Sequence, residues 1–128
     1  MNVEEIRTIK AKSDGTTLYE HTCMVIKTGL KLLQSLSLPK DMKAFLEQFF
    51  VQAAILHDLG KVHPTFQRKL NGDKNACIRH ELVSFWFAET FLEVNDVVLF
   101  AVATHHKSIE SGTCNKSLSM FDLNGISI

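Results

Sequence analysis

Apolar positions recur along this chain at the three-to-four-residue spacing of helices, and no run alternates long enough to read as a strand. Thr17-Leu18-Tyr19-Glu20 has the form of a capping box that opens a first helix running to about Gln34. At ~100° per residue, Leu18, His21, Thr22, Val25, Gly29 and Leu32 share one face of it. Ser37-Leu38-Pro39 breaks that helix and starts a second one, which should end near Leu59 with Gly60 as its stop. Residues 49–56 are apolar on nearly every side, which predicts a helix buried all round at the centre of the domain. A loop over residues 60–65 follows, then a short helical piece over 66–70 and a turn at Asn71-Gly72-Asp73. A fourth helix is expected over about 79–92, with His80, Val83, Ser84, Phe87 and Phe91 on one side. Asn95 caps a fifth, from Asp96 to about His105, in which Val98, Val102 and His105 lie together. Residues 107–128 are rich in Ser, Gly and Asn and show no strong period. The pattern predicts one compact all-α domain over residues 1–128.

Composition narrows the class. An apolar fraction of 45% supports a core and excludes a disordered chain. The formal net charge is zero, so overall charge does not mark a nucleic-acid binder and local charge must carry any such reading. Cys23, Cys77 and Cys114 are odd in number and form no C-x-x-C pattern, which argues against a disulfide framework or a zinc knuckle and for a reducing cytosol. Charged residues break the first twelve positions, so no signal peptide is visible, and no apolar stretch is long enough to span a bilayer. The expected location is cytoplasmic, with no membrane partner.

The placement of polar residues is more informative. His57-Asp58 closes the most apolar helix, where an unpaired Asp would cost several kcal/mol. A cation is the obvious compensation. His21, His80 and His105 each fall on the apolar side of their own helix, and His106 follows at a helix end. In a bundle such sides converge, and metal sites are built that way. Each histidine alone reads as a core side chain bonded to a carbonyl; the set, in this order, does not. His63, beside Pro64, is read as an ordinary loop residue, and Cys23 and Cys77 as small packing residues. Residues 57–80 carry Lys61, Arg68, Lys69, Lys74 and Arg79 against Asp58 and Asp73, a basic rim that would attract a phosphate backbone. Trp86 and the neighbouring Phe residues read as core rather than as a base-stacking platform.

The order His21, His57-Asp58, His80, His105-His106 resembles the HD-domain phosphohydrolase superfamily. Its flanking segments, Ala54-Ile55-Leu56-His57-Asp58-Leu59-Gly60-Lys61, Phe66-Gln67-Arg68-Lys69-Leu70, Arg79-His80-Glu81 and Thr104-His105-His106, are similar to the HD nuclease of type I CRISPR interference. That resemblance implies a compact all-helical HD-domain bundle with metals between helices. It implies one metal on His21, His57 and Asp58, and a second on Asp58, His80, His105 and His106, with Asp58 bridging. The implied activity is a metal-dependent nuclease that hydrolyses phosphodiester bonds of single-stranded DNA, with RNA as the alternative substrate. Asp58 and Lys61 would be the catalytic pair, Lys61 as a point charge for the scissile phosphate. Thr22 and Ser84 are candidate hydrogen-bonders to ligands, though each also reads as packing. The implied partners are a CRISPR helicase subunit or domain and the CRISPR surveillance complex. So many imidazoles should favour Mn, Ni, Co, Fe or Zn over Mg.

The resemblance also implies a further metal-binding Asp on a later helix. Asp122 is the sole acidic residue after Glu110, and its surroundings do not clearly match that helix, so the expectation is either a fragment or truncated product lacking this ligand or a chain in which Asp122 substitutes for it. Two other readings stand beside the nuclease. One is an HD-type nucleotide phosphohydrolase; the cyclic-dinucleotide branch is disfavoured because Lys107-Ser108-Ile109 follows the paired histidines in place of Gly-Tyr-Pro. The other is an inactive, metal-holding subunit that binds a helicase.

Overall fold

The computed structural model describes residues 3–106, excepting the side chains of Val3 and Ile6. The expectations for residues 107–128, Asp122 included, lie outside the described residues. Among the described residues six helices follow in order: α1 (Val3–Arg7), α2 (Leu18–Ser35), α3 (Lys40–Leu56), α4 (Pro64–Leu70), α5 (His80–Phe91) and α6 (Asp96–Thr104). A 3-10 turn, Leu59–Val62, stands between α3 and α4. Among the described residues the sole extended pairing is an isolated bridge between Lys10 and Thr17, so the fold is all-α as expected. No helix among them is long and apolar enough to cross a membrane.

Local chemistry sets the helix ends. The Thr17 hydroxyl accepts from the Glu20 amide at 3.2 Å while the Glu20 carboxylate accepts from the Thr17 amide at 3.0 Å, which is the capping box read from the sequence. Asn95 accepts from the Val97 amide and starts α6. Gly72 has φ 96°, a left-handed turn that glycine adopts without strain. The second helix stops at Leu56, short of the expected Leu59, because the backbone tightens into a turn at His57 and Asp58 before the 3-10 segment. The short α1 was not anticipated.

His63 ends the 3-10 turn and starts α4, and its Nδ1 accepts from the Thr65 amide at 3.2 Å. Burial, followed by nearby Arg68, lowers its pKa below the ordinary 6.5. The folded state therefore binds this proton less readily than the unfolded chain. The stabilisation is complete above the unfolded value and is lost as pH falls below it, when the cap acceptor is consumed. Thermal melts between pH 7.5 and 5, with pH values chosen to bracket that ordinary value, should show a shallower decline in His63→Asn, whose cap does not titrate, than in the unchanged chain.

The core lies where α3, α5 and α6 meet. Leu56, Ala88, Val98 and Val102 are buried there, with Phe49, Ala53, Leu59, Phe85, Val94 and Leu99 packed around them. α2 closes on α3 through Gly29, where a Cβ would run into the Phe50 ring. Three expectations need correction. α3 is not buried all round: Phe45 is 59% and Ile55 51% exposed, because its neighbours cover one side of it. Leu32 is 63% exposed, and the inward row of α2 shifts to Leu33. On α5, Phe87 and Phe91 face outward and Ala88 takes the core position. Hydrophobic periodicity fixes that a helix has an inner side, but neighbouring helices decide how wide that side is.

Cys77 is disulfide-bonded, against the expectation of unpaired thiols. Cys23 is free but exposed, so it is not a packing residue.

Candidate metal centre

His57 and Asp58 stand where α3 gives way to the 3-10 turn. Asp58 is 1% exposed. Its Oδ2 lies 2.7 Å from Lys61 Nζ, 3.1 Å from His21 Nε2 and 3.3 Å from His57 Nε2. Its Oδ1 lies 3.0 Å from His80 Nε2 and 3.6 Å from His105 Nε2. His106 Nε2 completes the group, 3.0 Å from His80 Nε2. The first turn of α2, the end of α3, the first residue of α5 and the end of α6 thus deliver side chains to one carboxylate. All six residues expected at a metal site come together.

Backbone carbonyls orient two of the rings. His57 Nδ1 lies 2.8 Å from the Ala54 carbonyl, and His105 Nδ1 lies 2.7 Å from that of Val102. A ring nitrogen against a carbonyl carries hydrogen, so in the neutral ring Nε2 keeps its lone pair. Both Nε2 atoms face the Asp58 carboxylate, setting acceptor against acceptor. The consequence is visible in unsatisfied atoms: Asp58 Oδ1 and His105 Nε2 are buried without a hydrogen-bond partner, and so, separately, is His21 Nδ1, the ring nitrogen that does not face Asp58. Converging lone pairs around a buried carboxylate are unfavourable unless a cation sits among them. The atoms form two candidate ligand groups, His21, His57 and Asp58 on one side, and Asp58, His80, His105 and His106 on the other. Asp58 belongs to both. Imidazole nitrogen with carboxylate oxygen is the donor set of Zn, Mn, Fe, Co and Ni sites, so these residues fit a divalent transition metal.

The electrostatics agree for Asp58, His21 and His106 and run the other way for His105. Burial alone would raise the Asp58 pKa, but His105, His57, His80 and Lys61 outweigh it and hold the carboxyl far below the usual carboxylate range. Burial lowers His21 and His106 and favours their neutral, ligating forms. For His105 burial works the same way, but the Asp58 carboxylate and the Val102 carbonyl outweigh it and raise the pKa above its ordinary value.

Residues distant in sequence hold this arrangement. Gly60 lies so close to α5 that a Cβ would collide with the His80 carbonyl. The Gly60 amide donates to Ser84 Oγ at 2.7 Å, and that hydroxyl donates to the His57 carbonyl at 3.0 Å. One fully buried serine thus clamps both sides of Asp58. Ser84→Ala should leave that amide and carbonyl buried without their partner, costing about 1–3 kcal/mol, and should weaken metal uptake. Urea unfolding alongside metal titration checks both effects. Gln67 Nε2 donates to the carbonyls of Lys61 at 2.7 Å and Lys10 at 2.9 Å, and so ties α4 to the 3-10 turn. The buried Phe66 ring lies 4.9 Å from the His80 ring and 5.7 Å from Lys61 Nζ. On the other flank, Glu81 pairs with Arg79 at 2.7 Å and approaches His80 Nδ1 at 3.6 Å.

Two expectations about charge change. Lys61 is 7% exposed and bonded to Asp58, not a side chain on an open rim. The basic rim is largely matched within the protein: Lys61 pairs with Asp58, Arg68 with Asp73 at 3.6 Å and Arg79 with Glu81. Ser84 is a clamp and not simply packing, as its hydrogen bonds show. Trp86 packs edge-on against Phe91, in keeping with a structural role. The parts played by Phe66, Gln67 and Glu81 had no signal in periodicity; the segments that carry Phe66-Gln67 and Glu81 stood out through the family resemblance alone.

An all-helical bundle that gathers histidines from several helices around the aspartate of a His-Asp pair defines an HD-type domain. The family described as Cas3, HD domain matches residues 12–124, and the chain belongs to that family. A relative from Myxococcus xanthus (strain DK1622), the putative CRISPR-associated nuclease/helicase Cas3, is 28% identical over 117 residues, a match covering 74% of this chain and 16% of the relative. The chain therefore spans a small part of the curated relative's length. No solved structure matches.

Proposed function

We propose that this domain is a metal-dependent nuclease of CRISPR interference that hydrolyses phosphodiester bonds of single-stranded DNA. The observation that carries the reading is the meeting of His21, His57, His80, His105 and His106 around the buried Asp58, with acceptors left unsatisfied. His21, His57 and Asp58 would hold one divalent ion, and Asp58, His80, His105 and His106 a second. A bound ion of this kind supplies Lewis acidity, which lowers the pKa of water and offsets charge on phosphate oxygens. Asp58 bridges the two groups and keeps them in register. Lys61 brings a fixed positive charge beside Asp58 for the scissile phosphate. Serial hydrogen bonds through Ser84, Gly60 and Gln67 keep these groups from drifting.

The relative's name couples a nuclease with a helicase, which supports a helicase subunit or domain as partner and nucleic acid as substrate. A helicase would deliver the single strand. We place this action in the cytoplasm, with the CRISPR surveillance complex, and assign residues 1–128 to one HD-type domain. The test offers single-stranded DNA, duplex DNA, RNA and free nucleotides to the purified chain with Mn or Ni. Degradation of single-stranded DNA is expected. Turnover of free nucleotides alone would replace the nuclease with a nucleotide phosphohydrolase, and no turnover of any of them would point to an inactive, metal-holding subunit.

A further inference from the structure

The two oxygens of Asp58 have different partners. Oδ1 is buried and accepts no hydrogen bond, although His80 and His105 stand near it. Oδ2 is engaged by the Lys61 ammonium at 2.7 Å. That ammonium is held firmly: Lys61 is 7% exposed, Gln67 grips its carbonyl at 2.7 Å, and the Phe66 ring lies beneath its Nζ at 5.7 Å. The geometry points to a centre with unequal halves, in which Lys61 makes the His21–His57 half the weaker metal site and the His80–His105–His106 half the stronger. This ranking rests on the two-ion reading above.

The physical reason is competition for one carboxylate. An ion on the His21–His57 side must share Oδ2 with a fixed positive charge, and a like charge nearby opposes it. An ion on the other side meets an oxygen with free lone pairs and three imidazoles in place of two. Lys61 is therefore a positioning residue for metal loading order, in addition to its proposed contact with phosphate. Ions should load in sequence, first beside Oδ1 and then beside Oδ2.

Calorimetric titration of the chelator-stripped, full-length chain with Mn²⁺ alone tests this without any activity readout. Two binding events of unequal strength are expected. His106→Ala should weaken the tight event and His21→Ala the weak one. Lys61→Met should strengthen the weak event by about tenfold to a hundredfold, the range expected from a charge-assisted hydrogen bond. Lys61→Arg keeps the charge and should leave the two events apart. Should Lys61→Met not fold, Lys61→Gln gives the same neutral comparison. A weak event unchanged in the neutral variant, or a tight event lost in His21→Ala, would overturn the ranking while leaving the two-ion reading standing. A chain that takes up no Mn²⁺ overturns both.

Discussion

Asp58→Ala should abolish metal retention and lower hydrolysis at least on the order of a thousandfold, the scale on which charge stabilisation at a reacting centre acts. Both candidate ligand groups include this residue, so its loss removes a ligand from each at once. No single histidine has that property. A second effect follows from burial. Lys61 Nζ lies 2.7 Å from Asp58 and would be left charged in a site where it is 7% exposed, and breaking such a pair typically costs about 3–5 kcal/mol. Asp58→Asn keeps the volume and separates the two consequences: metal and activity should still be lost, with a smaller fall in stability. Metal content, melting temperature and DNA degradation measured on the three proteins check this. Equal residual activity in the original chain and Asp58→Ala would mean that the centre does no catalysis.

Gly60→Ala should destabilise the fold by about 3 kcal/mol or more and displace half of the metal centre. An added Cβ would meet the His80 carbonyl and the Ser84 amide, both backbone groups of α5 that cannot rotate away. Relief requires the 3-10 turn and α5 to part. Parting breaks the bond from the Gly60 amide to Ser84 Oγ and carries His80 away from Asp58 Oδ1. Stability and metal affinity should therefore fall together. At Gly72, whose added Cβ meets nothing within 4 Å, the only penalty of an Ala is its φ of 96°, and metal affinity should not change. Denaturant unfolding and Mn²⁺ titration of both variants distinguish a local collision from general backbone strain.

The capping box at Thr17, the Asn95 cap and the Asn71-Gly72 turn are legible because their hydrogen bonds and dihedrals close within a few residues. The candidate metal-site residues are legible as a set: each histidine alone reads as a core side chain, but five of them with one aspartate at the end of an apolar helix do not. What stays hidden depends on contacts between distant segments. Gln67 reaches back 57 positions to Lys10, and Ser84 lies 24 positions from Gly60. Neither distance leaves a mark in periodicity. Lys61 looks like a surface residue in a basic stretch because burial of a cation is decided by the carboxylate that receives it. Exposure of Phe45, Ile55, Phe87 and Phe91 is likewise set by which neighbours arrive, since apolar composition alone does not define an inward face.

Histidines from separate helices and one buried aspartate are proposed to grip divalent ions. An anomalous difference map from crystals of the full chain grown with Mn²⁺ would locate those ions. Strong peaks should appear against the Asp58 carboxylate, one toward His80, His105 and His106 and, at high Mn²⁺, another toward His21 and His57. A map in which manganese binds elsewhere, or nowhere, while the Asp58 carboxylate keeps only protein partners, would contradict the account.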